Sequence, residues 1–286
     1  MNRNSEIYIC SLFLASVFAS CKTDNSNTIV NSTITDSVTA TKSSSTPISS
    51  GKFDMVISDI PFPFEILDNL FSGKIPFNQD LMNNVDNSSK YNQYNSKALN
   101  LGIYGADLSY AVTYEQFQQI GSYVKDTKKL ADDLNIPFAF DNDMMDKYNK
   151  YKDNKDSLTR IVYDSYNQVD KALKGDERVG IAALVVTGSW LEGLYLSTKA
   201  YSDAPKTSEN SNLYKIIGGQ KQSLVIVIKL LEEYKQDAYI NNLINDLKEI
   251  TSEYSLINSN NVMNEAQLFL INAKVEKLRT KIINGQ

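Results

Sequence analysis

Histidine is absent from the chain, and both cysteines, Cys10 and Cys21, lie within its first 21 residues. The first absence removes the commonest general base, the Ser-His-Asp and Cys-His nucleophile systems, and histidine-containing zinc or iron sites. The second leaves everything after Cys21 without a thiol for catalysis, metal binding or a disulfide. Carboxylates, lysines, tyrosines and hydroxyls are the groups left for chemistry, and the sequence implies neither cofactor nor metal. Clustered basic charge is lacking too. Acidic residues number 34 against 29 basic ones, for a net charge of −5, so phosphates would find nothing to neutralise them and nucleic acid is excluded as a partner. Proline is scarce, 6 in 286 residues, and none follows Pro205.

What is present begins with residues 7–18, IYICSLFLASVF, an apolar run too short to cross a bilayer but suited to the core of an export signal. Its basic flank is only Arg3 and the amino terminus, weakened by Glu6. The run ends in Phe18-Ala19-Ser20-Cys21, which resembles a lipobox. In that motif a large apolar residue and two small ones present the cysteine thiol to lipid transfer and the preceding bond to cleavage. The alternative is an ordinary signal peptide followed by a chance cysteine; the position of Cys21 directly behind the small pair favours the lipobox. Residues 1–20 are then the signal peptide, and Cys21 carries the acyl chains that tie the protein to the membrane without spanning it. Losing Arg3 and Glu6 with the signal leaves the net charge unchanged. Lys22 is not the aspartate that retains lipoproteins at the inner membrane, so the outer membrane is expected, on either its periplasmic or its surface face. Residues 22–52, rich in Ser, Thr, Asn and Asp, cannot bury enough apolar surface to fold. They read as a disordered tether, with a reach on the order of 30 Å by random-coil scaling.

From residue 53 onward apolar residues recur at helical spacing, without the sustained alternation that strands need. The expected fold class is all-α: an antiparallel multi-helix bundle of about eight helices forming one domain over residues 53–286. Pro61 and Pro63 open a helix at about 63–72. Others are expected from Ser89 to Thr113, from Tyr114 to Leu134 before Pro137, from Asp141 to Tyr151, from Asp156 or Ser157 to Gly175, and from Asp176 to Tyr201. The last three fall at about 213–234, with Gly218-Gly219 as a kink or break, 238–257 and 262–283. Asp141-x-Asp143 lacks the rest of a calcium loop and reads as a helix cap. The 17 tyrosines read mostly as compositional bias.

Two segments are not ordinary amphipathic helices. In 98–113, ALNLGIYGADLSYAVT, the residues Ala98, Gly102, Gly105 and Ser109 form a small-residue stripe that admits a second helix backbone. Interior glycines cost roughly 1 kcal/mol each relative to alanine, so close packing or a ligand must compensate. In 181–197, IAALVVTGSWLEGLYLS, a nearly all-apolar helix is interrupted by Glu192. Asp107 and Glu192 each need a partner, because a carboxylate taken out of water alone is strongly penalised. Three readings stand open. Each acid is structural and satisfied by a tyrosine, a lysine or a helix N-terminus. Or the two face one ligand cavity lined by Tyr104, Tyr110, Trp190 and Tyr195, suited to a sugar or a cation. Or they form an acid/base pair, as in glycoside hydrolysis.

Ile60-Pro61-Phe62-Pro63-Phe64-Glu65, KALNLGIYGADLSYAVTY at 97–114 and Thr187-Gly188-Ser189-Trp190-Leu191-Glu192-Gly193-Leu194-Tyr195 together resemble a family of uncharacterised lipoproteins of Bacteroidetes-type bacteria. The resemblance covers most of residues 55–200 and implies an envelope location, with no activity or catalytic residue to carry over. The expected role is therefore that of an exported, lipid-anchored envelope protein, binding or structural. Its candidate partners are the membrane through Cys21 and a small ligand, a glycan or another envelope protein. The alternative is a carboxylate-dependent hydrolase acting on envelope glycan or peptide.

Overall fold

The computed structural model describes residues 60–136, 142–175, 178–258 and 260–286. All of them belong to one compact unit, Ser45–Gln286. The signal peptide, Cys21, the tether, residues 53–59, Pro137 and the expected helix openings at Asp141 and Asp176 lie outside the described residues. Within them the fold is an all-α helical bundle with no strand. In chain order the helices are α1 (Pro63–Ser72), α2 (Tyr94–Thr113), α3 (Phe117–Asp133), α4 (Asn142–Tyr151), α5 (Lys155–Gly175), α6 (Val179–Asp203), α7 (Leu213–Glu232), α8 (Ala238–Tyr254) and α9 (Glu265–Ile283). Two short 3-10 turns, Gln79–Leu81 and Val85–Lys90, occupy the stretch between α1 and α2.

Helix α2 is expected from Ser89 but starts at Tyr94. The hydroxyls at the expected start take other partners, Ser88 donating to Asp126 and Ser89 to the Asp86 carbonyl. Such side-chain bonds draw short polar residues out of helices. Tyr91 keeps an extended backbone there and is buried. Helix α3 likewise begins at Phe117 instead of Tyr114, because Glu115 adopts a left-handed φ of 57°. With Gln116 N–H on the Ala111 carbonyl and Glu115 N–H on that of Val112, this is a Schellman stop. Asn135, at φ 56°, ends α3 in the same way. Helix α9 opens on a reciprocal capping box between Asn264 and Gln267.

The sequence expectation of a kink or break at Gly218-Gly219 is not met, for α7 runs through both residues. Gly218 serves packing: a Cβ there would fall 1.9 Å from the Asn261 carbonyl oxygen.

The core is organised by α2 and α6, which make the most extensive helix pairing. They cross glycine to glycine. A Cβ on Gly102 would lie 2.1 Å from the Val185 carbonyl oxygen and 2.6 Å from the Ser189 amide nitrogen, and one on Gly188 would lie 2.0 Å from the Leu99 carbonyl oxygen. This is the close approach that the small-residue stripe predicts. Helix α6 is long and apolar enough to cross a membrane by length and composition, but 83% of its most apolar window is buried inside the protein. Its hydrophobicity is that of a core helix wrapped by α1, α2, α7 and α9.

Candidate functional site

About one turn beyond the glycine crossing, both central helices carry an acid. Asp107 on α2 and Glu192 on α6 have no exposed surface. Between them and α9 stands Arg279, whose Nε donates to Glu192 Oε2 at 2.7 Å and whose Nη2 donates to Oε1 at 2.7 Å. Such a two-pronged contact is the strongest geometry for this pair. The guanidinium also sits 4.1 Å from the centre of the Tyr195 ring, a cation–π contact between buried side chains. Burial works against the charge of Arg279, but Glu192 outweighs it and holds the proton more firmly than usual.

Asp107 is the second acid beside a single cation. Its Oδ2 accepts the Asn83 amide at 3.0 Å, while Oδ1 has no donor of its own. Desolvation first and the Glu192 charge second push its carboxyl well above the ordinary range, against the pull of Arg279 and the Asn83 amide. Burial and the Glu192 charge thus favour the neutral form of the Asp107 carboxyl.

The sequence leaves the partner of these acids as a tyrosine, a lysine or a helix N-terminus. None of these is the ion-pair partner; it is an arginine from the far end of the chain. Arg279 lies within the apolar stripe of α9, between Val275 and Ile282, all buried. A guanidinium on such a face was the available signal.

The other candidate residues divide. Tyr195 joins the centre through Arg279. Tyr104 and Tyr110 reach from α2 toward the 75–84 backbone, the Tyr104 hydroxyl donating to the Asn84 carbonyl at 2.7 Å and Tyr110 accepting the Asn78 amide at 3.0 Å. Trp190 points away from the acids, its indole N–H donating to Gln220 on α7 at 3.1 Å. It also borders an apolar cleft of about 130 Å³ with Phe62, Val185 and Leu173. The six candidates therefore do not line one common cavity.

Three of them, Asp107, Tyr104 and Tyr110, share a different task. The segment from Ile75 to Asn84 has little regular structure, yet its backbone is taken up group by group by the body. Tyr114 donates to the Ile75 carbonyl at 2.8 Å, and Arg279 Nη2 to that of Leu81 at 2.9 Å. Asp107 accepts the Asn83 amide, Tyr123 donates to the Asn83 carbonyl at 2.9 Å, and Tyr91 accepts the Asn83 side-chain amide at 3.0 Å. Burial pushes the Tyr91, Tyr110 and Tyr195 hydroxyls up to about 12 and raises those of Tyr104 and Tyr123 further, so all stay protonated. Much of the tyrosine content is thus not compositional bias. A ring that packs in the core with a hydroxyl at its tip suits anchoring irregular backbone.

The outer face of the same segment is uncommitted to the core. With the start of α3 it borders a cleft of about 460 Å³. Buried Met82 and Tyr123 form the floor, and exposed Gln79, Asp80, Asn84, Gln118 and Ser122 form the walls. Among the described residues no group of His, Cys, Asp and Glu could hold a metal ion.

No family model matches the chain, and no curated protein or solved structure gives a significant match.

Proposed function

We propose that this chain is an exported cell-envelope protein, lipid-anchored through Cys21 in the outer membrane, whose helical body works by binding and presents the 75–90 segment as its recognition surface. The observation that carries the binding reading is the two-sidedness of that segment. Its backbone is fastened from behind by Asp107, Arg279, Tyr104, Tyr110, Tyr114 and Tyr123. Its front presents exposed polar side chains to a cleft. Recognition residues are commonly placed on loops that a rigid scaffold positions, and fixing the backbone beforehand removes an ordering cost from binding. The acids and Arg279 are then positioning residues. The lipobox-like run before Cys21 and the resemblance to envelope lipoproteins support the anchor.

The alternative, a carboxylate-dependent hydrolase, needs both acids at a solvent-reaching cleft. Asp107 and Glu192 have no exposed surface, and both Glu192 oxygens are bound by Arg279. That arrangement disfavours either acid as base or nucleophile.

Amide hydrogen exchange tests the binding platform. The Asn78 and Asn83 amides are expected to exchange as slowly as core helix amides; exchange at the rate of a free loop would overturn it. For the anchor, Cys21→Ser should move the protein from the membrane fraction to the soluble one.

A further inference from the structure

We infer that the cleft between the 79–85 segment and α3 is a binding site for a neutral carbohydrate. The inference rests on the binding reading above and adds the ligand class. Four features of the lining point to it.

The first is hydrogen-bonding type. Gln79, Asn84 and Gln118 are exposed amides, each carrying both donors and acceptors. A sugar hydroxyl also donates and accepts, and amides meet adjacent hydroxyl pairs on both counts. Part of this capacity is used locally: Asn84 Oδ1 caps the Asp86 amide at 2.9 Å, and Gln79 Oε1 accepts from Gln119 at 3.3 Å. The Asn84 and Gln79 NH₂ groups and the whole of Gln118 remain available to a ligand.

Charge is the second. Asp80 is the only ionised side chain lining the cleft, and no Lys or Arg does. An anionic ligand would meet a carboxylate with nothing to offset it, which excludes phosphorylated or acidic sugars in favour of neutral ones. The third feature is the floor. Met82 and Tyr123 offer an apolar base on which the C–H face of a pyranose can rest, beneath polar walls. The fourth is size: about 460 Å³ lies within the range of small-molecule sites. A protein partner fits less well, since the side chains that anchor protein interfaces are Trp, Tyr and Arg, and no exposed one borders this cleft.

The test uses the full chain purified in a detergent without a sugar headgroup and applied to an array of immobilised neutral and anionic oligosaccharides. Positives are then followed by titration calorimetry. Retention of neutral oligosaccharides is expected. Gln118→Ala and Gln79→Ala, both at exposed positions, should each weaken binding about fivefold, the loss of one net hydrogen bond. Lys277→Ala, outside the cleft, should leave it unchanged. Retention of anionic sugars alone would overturn the inference, as would neutral binding insensitive to Gln118→Ala and Gln79→Ala. If no neutral sugar binds while the Asn78 and Asn83 amides remain protected, the ligand class is wrong and the platform stands. If those amides exchange freely, the platform itself has failed.

Discussion

The connectors 73–93 and 204–212 are both irregular, and they are held in opposite ways. In 204–212 the hydrogen bonds are local. Asn210 accepts from the Thr207 amide and donates to the Pro205 carbonyl, Ser211 donates to Ser208, and Lys206 reaches back to Tyr201 and Ala204. One surface ion pair, Lys74–Glu209, ties it to the start of the other connector. In 73–93 there are local bonds as well, such as Ser89 to the Asp86 carbonyl, but the backbone is in addition held by side chains of α2, α3 and α9. A connector that only has to turn can satisfy itself. One whose backbone is fixed by four tyrosines, three of them buried, an aspartate and an arginine is held beyond what turning needs, and the proposed binding surface rests on this difference.

The sharpest way to break this comparison is Arg279→Met. It strands Glu192 as a buried charge and frees the Leu81 carbonyl, so urea unfolding should show a loss of about 3–5 kcal/mol. Amide protection at Asn83 should fall with it, while the exchange of 207–211 stays as it was. A loss below about 1 kcal/mol would show that the centre does not support the segment. Tyr123→Phe should follow, leaving the buried Asn83 carbonyl unsatisfied for about 1–3 kcal/mol, measured in the same way; Tyr104→Phe should cost about 1 kcal/mol, because the Asn84 carbonyl keeps the Asn87 amide.

A third prediction concerns pH. In the folded protein the Asp107 carboxyl is raised above the ordinary aspartate value of 3.8. Its contribution is therefore fully present below that value and is lost as pH rises toward the folded one, at up to about 1.4 kcal/mol per unit. Asp107→Asn keeps an uncharged group beside Glu192, so the stability of the wild type minus that of the variant should decline with pH above about 4. A difference that is flat, or that rises, would place the proton elsewhere. The smallest effect is expected in the other connector. A Gly-Ser-Gly insertion after Ser208 should cost less than about 1 kcal/mol, whereas the same insertion after Leu81 should abolish cooperative unfolding.

The helices were legible because their signals are local. Leu213, Ile217, Leu224, Val227 and Leu231 lie on one face of α7 at spacings any helix obeys, and all are buried. The stripe through Gly102 announced a close approach, and two acids in apolar surroundings announced a need for partners. The identity of those partners was not legible, because α9 meets α6 only in the folded chain. The same holds for the tyrosines: whether a ring anchors a distant carbonyl depends on which backbone passes its tip. Residues 75–85 show no periodicity, and nothing in their composition separates a fastened surface from a loose turn.

The crossing of α2 and α6 carries a consequence for genetics. What opposes Gly102 is the carbonyl of Val185 and the amide of Ser189; what opposes Gly188 is the carbonyl of Leu99. A clash between two side chains can be relieved by trimming the neighbour, but a main-chain atom is present whatever residue occupies its position. A selection for suppressors of Gly188→Ala or Gly102→Ala should therefore return reversions to glycine, and no compensating change at Leu99, Val185 or Ser189.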